Sequence, residues 1–318
     1  MKYALISDIH GNLHALQAVI ADAEEQGVQK YLFLGDYIED LPWPNEVVET
    51  IQNLKDSIVI RGNKEDYLAN LKKENQAEWV SEQFAPIYWN YRELKPENLE
   101  YLISLPKVNE IIVENGEVIT LSHSSQIFYR KPKILPFHSS YYLTRMSEKP
   151  FTHQEYLEFS CEAVLEHSET VSELKKFQKG IHCFGHNHLQ WFMQINDTWH
   201  INPGSCGMPL DFNTKAPYTS IEPRKDGWII EERRVSYDID KTIEALKASE
   251  LYKCAKIWSD IMIEQLQTGG DIIGHFLHYV DKVAYKLNFY SRPVSNEIWS
   301  YCAETFDMTS LFSRKGKQ

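Results

Sequence analysis

Three short apolar runs open the chain, and each ends on a carboxylate, an imidazole or an amide. Residues 2–7 (KYALIS) lead into Asp8 and His10, residues 30–34 (KYLFL) into Asp36, and residues 57–60 (SIVI) into Asn63. Leu13, Leu16, Val19, Ile20 and Ala23 have the spacing of a helix over 13–26 stopped by Gly27, and 45–54 reads as a second helix. Strand, helix, strand, helix, strand is the start of a parallel α/β sheet. In such a sheet the carboxyl ends of adjacent strands face one crevice, so residues far apart in sequence can converge there. Asp8 and His10, at i and i+2, also share one face of a strand. Ionisable groups at the edge of a core need partners, and the pattern asks what these hold.

The rest of the chain extends the pattern. Residues 64–104 read as helices, with Pro96 at a first helical position. Strands follow at 110–113 and 117–121, the second leading to His123, and at 181–185, leading to His186 and His188. Between them, Thr152 and Glu155 form a capping box that opens a helix in an otherwise irregular stretch. Two apolar runs around Asn196-Asp197 predict a hairpin, and 217–221 and 228–236 continue the antiparallel part. From Asp238 the pattern is helical only. Leu251, Ala255, Trp258, Ile261 and Ile263 share one broad face, and Gly269-Gly270 breaks it. Asp271 caps a second helix with Ile273, Phe276, Leu277, Val280 and Leu287 inward, and a third is expected around 295–306. The expected division is an α/β body over 1–236, carrying a basic, aromatic and helical insertion at about 124–180, and a helical extension over 237–318.

A formal net charge of −12 argues against binding nucleic acid in bulk through its backbone, although a local basic pocket could still take a nucleotide. The five cysteines are odd in number and lack CxxC spacing, which argues against a disulfide framework and a thiolate zinc site. No apolar run approaches the ~18 residues of a membrane span and no leader pattern opens the chain, so no membrane partner and a cytoplasmic location are expected.

Asp-x-His at 8–10, Gly-Asp at 35–36, Gly-Asn at 62–63, His123 and Gly-His-x-His at 185–188 follow one another in an order that resembles the calcineurin-like metallophosphoesterases. Each motif follows a predicted strand, and together they cover about residues 2–235. "INPGSCGMP" at 201–209 is similar to the Asn-Pro-Gly-Ser turn of the smaller bacterial phosphodiesterase branch, the branch that includes diadenosine-tetraphosphatase-like members. The resemblance implies an α/β fold, a β-sandwich flanked by helices in four layers (αββα), here with a C-terminal helical appendage. It implies two divalent ions, Mn, Fe or Zn. Asp8, His10 and His188 would bind the first, Asn63, His123 and His186 the second, and Asp36 would bridge them. The implied activity is hydrolysis of phosphodiester or phosphoanhydride bonds in a small phosphorylated substrate such as a nucleotide.

The chain also departs from the family. Lys64 stands where many members place a leaving-group histidine after Gly-Asn. Glu39 and Asp40 stand where the protein-phosphatase branch has Asp and a phosphate-binding Arg. These residues count against a protein serine/threonine phosphatase. Glu39 and Lys64 preserve an anion and a cation with longer arms, and together with Asn63 they are the expected catalytic residues. The alternative from another class is a metal-bound scaffold or sensor without turnover.

Residues 126–150 hold Arg130, Lys131, Lys133, Arg145 and Lys149 against only Glu148, interleaved with Phe128, Tyr129, Tyr141 and Tyr142. Tyr129, Arg130, Lys131 and Lys133 are the candidates to hold a phosphate tail and stack a base. The alternative is an ordinary loop whose aromatics pack on the body. His14 lies close enough to the site for a substrate contact, and His182 and His200 read as structural. A homo-oligomer is left open.

Overall fold

In a computed structural model of the chain, residues 1–113, 116–125, 128 and 135–308 are described. Among the described residues, ten strands form two five-stranded sheets. The first sheet contains β1 (Tyr3–Ile6), β2 (Lys30–Phe33), β3 (Ser57–Val59), β9 (Ala216–Arg224) and β10 (Gly227–Val235) in the order β10-β9-β1-β2-β3. β1, β2 and β3 are parallel, joined by α1 (Leu13–Glu25) and α2 (Pro44–Asn53), and β9 and β10 close the edge antiparallel. The second sheet runs β4-β5-β6-β8-β7, from β4 (Val108–Ile112), β5 (Val118–Ser122), β6 (Gly180–Cys183), β7 (Gln190–Ile195) and β8 (Thr198–Pro203).

The two-residue period of the strands sorts their side chains into layers. Tyr3 and Leu5 of β1 point between the sheets, where Leu32, Ile60, Ile119, Leu121, Ile181, Cys183 and Ile201 meet them. Ala4 and Ile6 point outward to Leu16, Val19, Val48 and Ile51 of α1 and α2. On the far side, Phe184, Trp191 and Met193 pack under helices Ser139–Glu148, His153–Leu165 and Ser168–Leu174. Helix, sheet, sheet, helix is the four-layer α/β sandwich that the resemblance implied. The C-terminal helices build a further cluster around Leu246, Leu251, Met262, Leu266, Phe276 and Trp299, which also takes in Leu41 and Met208 from the loops at the sandwich rim.

Local signals were legible. Pro96 opens its helix, Thr152 and Glu155 form the capping box, and Asp271 caps Ile272–Lys286 by accepting from the Gly274 amide. Gly269 ends Lys256–Thr268 in the left-handed conformation, at φ 64°. Two details differ. The helical face expected to run through Leu251–Ile263 is divided between Glu250–Cys254 and Lys256–Thr268, because Ala255 leaves the helical region. Leu287 is 59% exposed rather than inward, since it falls past the last turn of its helix. No helix among the described residues is long and apolar enough to cross a membrane.

Candidate metal centre

All seven candidate ligands gather at the carboxyl ends of strands from both sheets. The backbone must turn sharply to aim them. Asp8, His10, Asp36, His186 and His188 all have positive φ, between 52° and 77°. Non-glycine residues hold that conformation at an energetic cost, which the surrounding contacts offset. The glycines of the motifs serve a different need. A Cβ on Gly185 would lie 2.0 Å from Ser7 Oγ and 2.3 Å from Asp8 Oδ2, and one on Gly62 would lie 2.2 Å from Asp36 Oδ1. Gly-His and Gly-Asn are therefore sites of close approach to the two aspartates.

The donor atoms fall into two groups. In the first, His188 Nε2 is 3.3 Å from Asp8 Oδ1 and 3.2 Å from His10 Nε2. In the second, Asn63 Oδ1 is 3.0 Å from His123 Nε2 and 2.9 Å from His186 Nδ1. Asp36 stands between them. Its Oδ1 accepts from the Lys64 amide at 2.9 Å, while Oδ2 lies 3.4 Å from His123 Nε2 and 4.0 Å from His10 Nε2. Asp8 is divided in the same way: Oδ2 accepts from Ser7 Oγ and the His186 amide, and Oδ1 faces the two histidines.

A cation fits both groups. Imidazole, carboxylate and amide oxygen without thiolate is a donor set for Mn, Fe or Zn. Two imidazole nitrogens face each other at 3.2 Å, an approach that an ion between them would explain. The electrostatics agree. Burial opposes a charge on His10 and His123, yet Asp40, Asp8 and Asp36 outweigh it and raise their pKa values to about 10 and about 9. Without ions, the acidic centre draws protons to these positions. Burial and the neighbouring His123 push His186 down to about 4, so it is a neutral donor. Asp36 is held below the usual carboxylate range, as the histidines outweigh its burial.

Further contacts fix the rings. His123 Nδ1 is 2.8 Å from the Leu34 carbonyl and His188 Nδ1 is 2.7 Å from the Met208 carbonyl. His10 Nδ1 lies 2.8 Å from Asp40 Oδ2, a close ion-pair distance whose direction falls short of a straight hydrogen bond. The turn at 201–209 braces the loop after β1: Ser205 Oγ donates to the Asp8 carbonyl at 2.6 Å and Cys206 N to the Ser7 carbonyl at 2.8 Å. Asn187, between the paired histidines, turns away and donates to the Phe137 carbonyl.

The chain belongs to the calcineurin-like phosphoesterase superfamily, whose domain description matches residues 1–222. An uncharacterised protein of Methanocaldococcus jannaschii is 31% identical over 264 residues, covering 78% of this chain and 93% of that protein. Among solved structures, a metallophosphoesterase from Sphaerobacter thermophilus aligns with a TM-score of 0.57 at 23% identity, over 85% of this chain and 100% of its own. A hypothetical protein from Pyrococcus horikoshii aligns with a TM-score of 0.60 at 21% identity, over 85% and 98%.

Lys64 and Glu39, expected as partners, form an ion pair in which Glu39 is buried and Lys64 partly so, with Lys64 Nζ also 5.6 Å from the centre of the Tyr67 ring. Burial disfavours the Lys64 charge, but Glu39, Asp40 and Asp36 outweigh it and raise its pKa. Tyr129, Arg130, Lys131 and Lys133 lie outside the described residues. Of the other residues in that segment, Phe128 and Tyr142 are buried in the aromatic cluster with Phe137, Trp191 and Tyr156, while Arg145 and Lys149 are exposed. Phe128 and Tyr142 thus serve packing and are not available for base stacking. His14 is tied to Thr242 Oγ1 at 2.9 Å and packs at a tilt against Trp43, so its ring joins α1 to the C-terminal helices.

Two residues were missed. Glu65 is fully buried and accepts from the amides of Asp36, Tyr37 and Gly62 at 3.0, 2.9 and 2.7 Å, so one carboxylate clamps the Asp36 loop to the start of α3 (Asn63–Leu71). Its place three residues after Gly62 is a capping-box spacing that could have revealed it. In sequence Asp40 marks only the loss of an arginine, but in the fold it faces His10 and accepts from Trp258 Nε1 at 2.8 Å.

Proposed function

We propose that this protein is a two-metal phosphohydrolase acting on phosphodiester or phosphoanhydride bonds of a small phosphorylated substrate. The observation that carries the reading is the place of Asp36 Oδ2, 3.4 Å from His123 Nε2 in one group of donors and 4.0 Å from His10 Nε2 in the other. Asp8, His10 and His188 would hold one ion, and Asn63, His123 and His186 the other. Bound there, two divalent ions supply a water of lowered pKa as nucleophile and offset charge on the phosphoryl oxygens. Asn63 would keep its amide oxygen on the second site through its position at the start of α3. Lys64 keeps its proton at neutral pH, because the acidic cluster holds it, and Glu39 fixes where that charge sits. A fixed cation favours departure of an anionic leaving group but is a poor proton donor to an alkoxide. That favours phosphate-type and activated leaving groups over alkyl monoesters.

Two assays test the reading: elemental analysis of manganese-loaded protein, then turnover of bis(p-nitrophenyl) phosphate against p-nitrophenyl phosphate. Two ions per chain with diester turnover exceeding monoester turnover is the expected result. Fewer than one ion per chain rejects the two-metal reading, and two ions with no turnover of either ester favours the scaffold alternative.

A further inference from the structure

The second histidine nitrogen of His10 does not end in the sandwich. Its Nδ1 faces Asp40 Oδ2 at 2.8 Å, and the other oxygen of Asp40 accepts from Trp258 Nε1, also at 2.8 Å, across 218 residues of sequence. Trp258 sits in the first turn of the helix Lys256–Thr268. Its ring is stacked on Trp299 at 6.5 Å, and Trp299 meets Phe276 edge-on at 4.9 Å. The indole is therefore held by the C-terminal core rather than by the loop it touches. Asp40 is buried, with both carboxylate oxygens engaged, and the adjoining Leu41 both donates its amide to the His10 carbonyl and packs into the C-terminal cluster.

We propose that Trp258 is a positioning residue for the first metal site, holding Asp40 so that Asp40 turns His10 Nε2 toward the ion. The proposal rests on the reading of Asp8, His10 and His188 as ligands. A carboxylate paired with the free nitrogen of a ligating histidine, as Asp40 is with His10 at 2.8 Å, favours one tautomer and ring angle, and loss of such a partner typically weakens metal binding by about 10–100-fold. Trp258 acts one contact further out, so its effect should fall at the low end. Its action should also be confined to one ion. His123 and Asn63 make no contact with Trp258 or Asp40 among those found in the described residues, and His123 Nδ1 is held by Leu34 instead.

The test is calorimetric titration of the metal-free full chain with Mn2+, together with the visible spectrum of its Co2+ form. Trp258→Phe keeps an aromatic ring against Trp299 and removes the N–H. It should weaken one site about tenfold, leave the other within twofold, and change the Co2+ bands of the weakened site. In an Asp40→Asn background the same substitution should have no further effect, because it acts through Asp40. Tyr252→Phe, which removes the Tyr252–Asp260 hydrogen bond in the same helical layer, serves as the control and should change neither site. Equal weakening of both sites by Trp258→Phe, no weakening at all, or an undiminished effect in the Asp40→Asn background would overturn the proposal. If Trp258→Phe does not fold, the indole N–H resonance of Trp258 in the wild-type protein decides. It should shift on filling of the first site only, and a resonance indifferent to metal would reject the role. Wild-type protein that binds no metal would instead sink the ligand reading itself.

Discussion

The two halves of the centre use similar donors but are braced differently. The half containing Asn63, His123 and His186 is held from inside the sandwich: the Leu34 carbonyl fixes His123, and Glu65 ties the Asp36 loop to the helix that starts at Asn63. The half containing Asp8, His10 and His188 leans outward. Met208 fixes His188 and packs in the C-terminal cluster, while Asp40 faces His10 and is held by Trp258. One half is set by the loop after β2 and the start of α3, the other by contacts that lead to the C-terminal helical layer. A change at the junction of the halves should therefore affect both, and a change in either set of braces only one.

Asp36→Asn breaks the comparison at the junction and should have the largest effect. Oδ2 is the atom that faces both His123 and His10, and an amide there donates protons or accepts weakly. Manganese-loaded protein should fall below one ion per chain by elemental analysis, with diester turnover lost. By contrast, His188→Ala should weaken chiefly the first ion and His123→Ala the second. If His188→Ala and His123→Ala gave the same pattern of metal loss, the division into halves would be wrong.

Glu65→Gln tests the inner brace. Three backbone amides point at this carboxylate, and a glutamine must turn its own NH2 toward at least one of them. Leaving a buried donor unsatisfied should cost about 1–3 kcal/mol, a fall in Tm of roughly 2–5 °C for a chain of this size. Thermal melts check this. Metal titration of the surviving folded protein should show the second site weakened more than the first.

These braces show where sequence reading stops. Strand ends, the order of the ligands, the Thr152 capping box and the Asn196-Asp197 turn are all local: each depends on a few neighbouring residues and a fixed period. The convergence of the seven side chains follows from that local information plus the rule that parallel strands share a crevice, whereas the four-layer sandwich came from the family resemblance. Asp40 and Trp258 carry no such signal. A tryptophan at helical spacing on an apolar face looks like core, and its ring is indeed packed against Trp299; only the fold reveals that its N–H reaches a carboxylate beside His10. Phe128 and Tyr142 make the converse point. Their proximity to basic residues suggested a binding loop, but aromatic side chains between strands and helices are buried first for their area.

The pH dependence of the metal-free protein tests the centre as a whole. His10 and His123 have folded-state pKa values of about 10 and about 9, above the ordinary 6.5. Groups raised in the native state stabilise it fully below the unfolded value and lose that contribution as pH rises through the folded one. Metal-free protein should therefore lose stability between about pH 7 and 10, as followed by urea midpoints. Metal affinity should rise across the same window, because fewer protons compete for the same nitrogens. Calorimetry in buffers of differing ionisation enthalpy should detect proton release on loading at pH 7.5. A flat urea midpoint across the window would mean that these histidines are neutral without metal.

The smallest expected effect is at Lys64, which belongs to neither brace. Its amide holds Asp36 Oδ1 and its side chain pairs with Glu39, whose backbone is itself clamped by both amide atoms of Asn90. Replacing the side chain leaves the backbone contact intact, so Lys64→Ala should not change metal content. What it removes is a charge whose effect Glu39 already offsets in part. The rate loss should therefore be about tenfold, short of the roughly 10²–10⁴ of a full general acid. It should fall unevenly. An aryl diester with a stable leaving phenolate needs little help and should slow less than twofold, while an alkyl diester should show the whole effect. Leaving Glu39 buried without its cation should also raise its pKa further, since burial already pushes it up and Lys64 opposes that. A double change, Lys64→Ala with Glu39→Gln, should then recover stability lost in the single variant without recovering rate. A leaving-group series in which Lys64→Ala slows every ester equally would remove Lys64 from the leaving-group side and leave it a structural partner of Glu39.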